Sequence, residues 1–157
     1  MIYTHRRIFL KGGLAGAALT LAAATGWLTP RQVHAAEWSK EAFGSKKLDE
    51  AIQALFGATA TTASSAVKIK APAQAENSAQ VQIQVSTDLP NVESIAIFVE
   101  KNPSPLVARA NFSGAEGFFS ARMKMAQTSD VHAIVKSGGK LYSAKHTIKV
   151  TAGGCGG

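Results

Sequence analysis

The chain has 157 residues, enough for one domain, and carries 17 lysines and arginines against 10 acids, a formal charge of +7. Four of those bases, Arg6, Arg7, Lys11 and Arg31, fall in the first 35 residues, which hold no acid, so the remainder carries only +3 from thirteen bases and ten acids. That balance is too mild for nucleic-acid binding, no Lys/Arg run interleaves with aromatics, and a single cysteine excludes an internal disulfide.

At the start of the chain, Arg6-Arg7-Ile8-Phe9-Leu10-Lys11 resembles the twin-arginine export signal. The match departs from the pattern just before the arginines, where His5 stands and Thr4 comes one position too early. An alanine- and glycine-rich stretch over 12–28 follows. It approaches the length of a membrane anchor, but its small residues, with Thr20 and Thr25, make it too weakly apolar for one. Val33-His34-Ala35 then offers a small-residue cleavage site, with the mature chain starting at Ala36. The expected location is the periplasm, reached by the twin-arginine route, with no stable membrane anchor. In that oxidising compartment an unpaired thiol must be kept reduced or occupied.

Residues 37–56 read as a helix: Leu48, Ile52, Leu55 and Phe56 recur at helix spacing, with Ser45 as an N-cap and Gly57 as a stop. Residues 58–65, rich in Thr and Ser, read as a linker. From Val67 onward the period changes to two. Val67 and Ile69, then Val81, Ile83 and Val85, alternate with polar residues. Further strands are expected over 93–99, 106–112 and 118–125, around Val131, Ala133 and Val135, and in a last strand with Tyr142, Ala144, His146, Ile148 and Val150 on one face. Turn signals at Asp88-Leu89-Pro90-Asn91, Asn102-Pro103-Ser104-Pro105, Ser113-Gly114 and Ser137-Gly138-Gly139 separate them. Seven short strands at this spacing predict an all-β fold: an immunoglobulin-like antiparallel β-sandwich with an N-terminal helix and a flexible C-terminal glycine-rich arm. The expected divisions are 1–35 signal peptide, 36–65 helix and linker, 66–151 sandwich, and 152–157 swinging arm. Residues 93–99 are apolar on both faces, which calls for a cover on the outer face: a partner protein or the N-terminal helix.

The chain ends Thr151-Ala152-Gly153-Gly154-Cys155-Gly156-Gly157. Glycines resist fixed secondary structure, so this end reads as a tether with one chemical group on it. Five steps from Val150 to Cys155 give a reach of roughly 17 Å. Glycine on both sides leaves a thread narrow enough to enter a channel in another protein and present sulfur there. No His, Lys or Arg lies within five residues of Cys155. Nothing in sequence reach lowers the thiol from its ordinary pKa of about 8.5, which argues against a self-sufficient cysteine enzyme. A carrier activated by the sites it visits fits better.

The ending Gly153-Gly154-Cys155-Gly156-Gly157 resembles the C-terminal arm of the SoxY family, sulfur carriers of the bacterial thiosulfate-oxidising (Sox) multienzyme system. The stretches Asp88-Leu89-Pro90-Asn91-Val92-Glu93-Ser94-Ile95-Ala96, Val99-Glu100-Lys101-Asn102-Pro103 and Lys124-Met125-Ala126-Gln127-Thr128-Ser129 are similar to that family's sandwich motifs. The resemblance spans nearly all the mature chain. It implies a heterodimer with a SoxZ-like sandwich protein. It also implies oxidative joining of thiosulfate to Cys155 by a c-type cytochrome, release of sulfate by a hydrolase, and oxidation of the remaining sulfur by a sulfane dehydrogenase. The carrier itself would need neither cofactor nor metal. Only Cys155, flanked by Gly153, Gly154, Gly156 and Gly157, carries over as the site.

Other residues read as structure. His132 and His146 are the only histidines of the mature domain; His146 shares an apolar face with Tyr142 and Ile148 and reads as packed, and a metal set with Cys155 would lack fixed geometry. Met123 and Met125 read as core, and Lys68, Lys70, Arg122 and Lys124 as solvated strand faces, with a lesser role in receiving an anionic sulfonate or acidic partner. No Walker, Rossmann, Gly-x-Ser-x-Gly or paired-carboxylate signature is present. Two function classes fit: a covalent carrier, and a non-covalent immunoglobulin-like adaptor whose thiol is incidental or links a dimer.

Overall fold

The computed structural model describes residues 39–151. The export signal and its cleavage site, and the arm residues Gly153, Gly154, Cys155, Gly156 and Gly157, lie outside the described residues.

In chain order the elements are α1 (Lys40–Gly44), α2 (Leu48–Phe56), β1 (Thr62–Ala63), β2 (Val67–Lys70), β3 (Gln74–Ala75), β4 (Val81–Thr87), β5 (Val92–Val99), β6 (Leu106–Asn111), β7 (Gly117–Met123), β8 (Ser129–Ser137) and β9 (Lys140–Val150). A small sheet, β2-β4-β7, packs on a larger one, β1-β9-β8-β5-β6, with β3 pairing the end of β9. The long pairs are all antiparallel. The chain changes sheet between β4 and β5, β6 and β7, and β7 and β8, which makes the immunoglobulin-like Greek key, here with β6 on the larger sheet.

The period-two pattern explains the core between the sheets. Val81, Ile83 and Val85 of β4 point inward against Ile95, Ile97 and Val99 of β5 and Val131, Ala133 and Val135 of β8, while Gln82 faces solvent. Met125 lies beyond the end of β7 yet is buried, its N–H donating to the Ser78 carbonyl (2.8 Å), so the strand expected over 118–125 ends two residues earlier without losing its core residue. The β8–β9 hairpin turns on Gly138 (φ 54°) and Gly139 (φ 74°), both left-handed as a two-residue type I′ turn requires.

The second apolar face of β5 is covered by the chain itself. Ala96 and Phe98, with Leu106 of β6 and Ile134 of β8, pack against Ala42 of α1 and Ala51 and Ile52 of α2, with Leu48, Leu55 and Phe56 around them. Of the two expected covers, the helices occupy this face, so 95–99 is not the partner-facing strand.

Three local readings are corrected. The helix expected over 37–56 is two helices, because Ser45 takes an extended backbone (ψ 145°) after Gly44. Its hydroxyl and N–H both turn back to the Glu41 carbonyl (2.8 and 3.0 Å), so Ser45 closes α1 instead of opening α2. Gly57 does end α2, in the left-handed conformation (φ 73°). The linker over 58–65 contains β1, which runs parallel to β9 at Tyr142 and Ser143, with Thr61 Oγ1 donating to Ser143 Oγ (3.0 Å). The seven expected strands therefore gain two short parallel additions, β1 and β3, both on β9.

Two stability predictions follow from this packing. Ile52→Ala, outside the sandwich core, should cost about 2–4 kcal/mol in urea unfolding; a loss within about 0.5 kcal/mol, the range of surface changes, would mean the helices do not seal β5. In Gly117→Ala the new methyl would clash with Thr87 Cγ2 and crowd Val92 Cγ2 (3.0 Å). Rotating Thr87 away would break its hydroxyl's bond from Leu89 N–H (3.2 Å), so the change should cost about 1–3 kcal/mol by the same measurement.

Candidate functional site

The described part of the site is the root from which the cysteine tail leaves. β8 pairs with β9 from Ser137↔Lys140 as far as Ser129↔Ile148. Beyond that, Lys149 and Val150 pair in parallel with Gln74 and Ala75 of β3. Lys149 N–H donates to the Ala73 carbonyl (2.9 Å), and Thr151 donates to the Ala75 carbonyl through both its N–H (3.4 Å) and its hydroxyl (3.3 Å). Val150 N–H donates to Thr128 Oγ1 (2.9 Å). With Thr151 held, four steps remain to Cys155, an extended length of about 13–14 Å, shorter than a count from Val150 suggests.

The loops beside this root are fastened to one another. Asn102 Nδ2 donates to the Lys124 carbonyl (2.8 Å), its Oδ1 accepts from Ala126 N–H (2.9 Å), and Lys101 N–H donates to Ser129 Oγ (3.0 Å). These bonds join 100–103 to 124–129.

The histidines fall on opposite faces of the larger sheet. His146 pairs with Val131 and faces the core; His132 pairs with Lys145 and faces outward. They cannot share a metal. His146 Nε2 is buried with no hydrogen-bond partner among the described residues, so the packed reading of this residue holds. His132 Nε2 lies 3.2 Å from Glu100 Oε2, and with Asp130 these groups form a cluster whose ligand-type atoms are all within 4.8 Å of one another. Asp130 is already engaged: Lys145 Nζ lies 3.0 Å from one carboxylate oxygen, and Thr147 Oγ1 donates to the other (2.5 Å). Those two partners hold the Asp130 carboxyl below the usual carboxylate range, the Thr147 hydrogen bond most strongly and then Lys145. Glu93 is likewise lowered, by Lys136 and by the N–H of Gly139 in the β8–β9 turn. The cluster is a closed ion-pair network. The sequence signal for it was only the spacing of Asp130 and His132 on one strand face; Glu100 comes to it through the β5–β8 pairing.

Met123 and Met125 are buried, as expected of core residues, and Lys68, Lys70 and Lys124 are exposed. Lys68 is spent on Asp88 (2.7 Å). A groove of about 850 Å³ between Thr87–Leu89 and Glu116–Phe118 lies at the opposite end of the sandwich from Val150 and Thr128, so it does not belong to the root.

Comparison with known proteins identifies this arrangement. The chain matches the family model described as sulfur oxidation protein SoxY over residues 52–155. It is also similar to the solved structure of the sulfur carrier protein SoxY from Chlorobium limicola f thiosulfatophilum, with 43% identity and a TM-score of 0.62, over 73% of this chain and 100% of that one. The chain belongs to the SoxY family. The superoxide reductase (neelaredoxin) from Ignicoccus hospitalis is similar at 21% identity and a TM-score of 0.48, over 54% of this chain and 80% of that one, too slight a likeness to carry an argument. A search of curated proteins gives no match.

The SoxY match runs to Cys155, and two of the three sandwich stretches that carry the resemblance, 99–103 and 124–129, are those clasped together beside the end of β9. The third, 88–96, builds the β4–β5 turn, with Asn91 at φ 50°, and the buried strand β5. Sequence reading singled out Cys155, which lies outside the described residues; Thr128 and Ala75, which hold the end of β9, carry no signal of period or composition.

Because Asp130 and Glu93 titrate below their ordinary values when folded, their support of the fold is complete above the usual carboxylate range and is lost as pH falls through the lowered values. Asp130→Asn should therefore flatten the fall in stability below about pH 4 in acid-unfolding curves; an unchanged acid limb would show that this network does not contribute.

Proposed function

We propose that this SoxY-family chain carries thiosulfate-derived sulfur covalently on Cys155 and presents it to the enzymes of the Sox system. The observation that carries this reading is a family match that continues through a glycine-flanked, solitary cysteine just after a strand end that is firmly held. Thiolate attack alone would not suffice. Forming the S–S bond between Cys155 Sγ and the outer sulfur of thiosulfate releases the thiol proton and two electrons, which a c-type cytochrome accepts. Water then attacks the terminal sulfonate, sulfate leaves, and the inner sulfur stays on Cys155 for a sulfane dehydrogenase.

The domain supplies no catalytic groups of its own in this scheme. His132, Glu100 and Asp130 are tied into one network and His146 is packed, so acid–base chemistry falls to the enzymes that receive the tail. The chain would act in the periplasm after twin-arginine export, with a SoxZ-like sandwich protein as heterodimer partner. Since the helices occupy the outer face of β5, that partner would dock elsewhere.

Intact-mass measurement of periplasm-derived protein tests the reading. Wild-type protein should carry sulfur and sulfonate adducts that reductant removes, and Cys155→Ser should carry none and abolish thiosulfate oxidation. A Cys155→Ser strain that still oxidises thiosulfate would overturn it in favour of a non-covalent adaptor.

A further inference from the structure

The tail's root is held by a device separate from the sheet ladder. The antiparallel pairing of β9 with β8 ends at Ser129↔Ile148, three residues before Thr151. From there the strand is held on one side by the 73–75 segment, through Lys149 N–H to the Ala73 carbonyl and Thr151 to the Ala75 carbonyl, and on the other by one side chain, the Thr128 hydroxyl, which takes the place of a main-chain acceptor for Val150 N–H (2.9 Å) and lies 3.5 Å from the Val150 carbonyl. A two-residue parallel pair is a weak hold on its own. Thr128 is exposed and so contributes little to the core, yet it is positioned by a rigid neighbour: Ser129 is buried, and its hydroxyl accepts from Lys101 N–H.

We propose that Thr128 is a positioning residue that sets the reach of the Cys155 tail. With the Thr128 and β3 contacts made, the tail begins at Thr151 and Cys155 lies at most about 13–14 Å away; with them open, the last held residue is Ile148 and the limit becomes about 23–25 Å. The shorter tether confines the thiol to a smaller volume and raises its effective concentration at a receiving channel; the longer one trades that for depth. This rests on the carrier reading for its purpose but not for its test.

The test uses the exported, reduced protein with a spin label on the native Cys155 and a second on Lys140→Cys, at the far end of β9. Thr128→Val keeps the shape and removes the acceptor; Thr128→Ser keeps the acceptor. In Thr128→Val the label–label distance distribution should gain a more populated component reaching about 10 Å beyond the main population, and amide exchange at Val150 and Thr151 should speed up about fivefold, with the unfolding midpoint unchanged. Thr128→Ser should restore both. A distance distribution in Thr128→Val that matches wild type overturns the proposal, whatever the amides do. Neither readout involves a sulfur adduct, so a failure here is distinct from a failure of Cys155 as carrier.

Discussion

The end of β9 has to change partners, and the position of Val150 and Thr151 depends on that exchange. An antiparallel ladder with β8 can hold β9 only as far as β8 extends, to Ser129. The chain continues past this limit and is taken up by β3 and by Thr128. The tail thus leaves from a point defined by three separate parts of the sequence, around residues 75, 128 and 150. A sandwich whose last strand simply frayed would give the same thiol a broader and less defined starting point.

The helices complete the other half of the architecture. β5 has no polar face to offer water, so the larger sheet needs a second apolar layer, and Ile52 with its neighbours provides it. What the helices leave uncovered on that face is the polar network of Glu100, His132, Asp130, Lys145 and Thr147 near the tail's root. Such partly exposed ion pairs contribute little to stability compared with burial of Phe98 or Ile134.

This division of labour is compatible with the sulfur-carrier role of the SoxY family. A reactive cluster beside the thiol would invite chemistry in the wrong place. Here Asp130 and His132 near the root are engaged by neighbours, and the two histidines lie on opposite faces of the sheet.

The chain itself, without coordinates, determined the sandwich, because alternation such as Val81, Ile83, Val85 against Gln82 and Gln84 directly encodes which face is buried. It also singled out Cys155, because a lone thiol among glycines is a chemical fact of composition. Tertiary structure decided what covers β5, since two apolar faces state that a cover exists but not its source. It decided that Ser45 ends one helix, since a serine can close a turn behind it as readily as open one ahead. It also decided the root of the tail, because β1 and β3 are too short to show a period and the role of the Thr128 hydroxyl exists only where a distant strand end passes within hydrogen-bond reach.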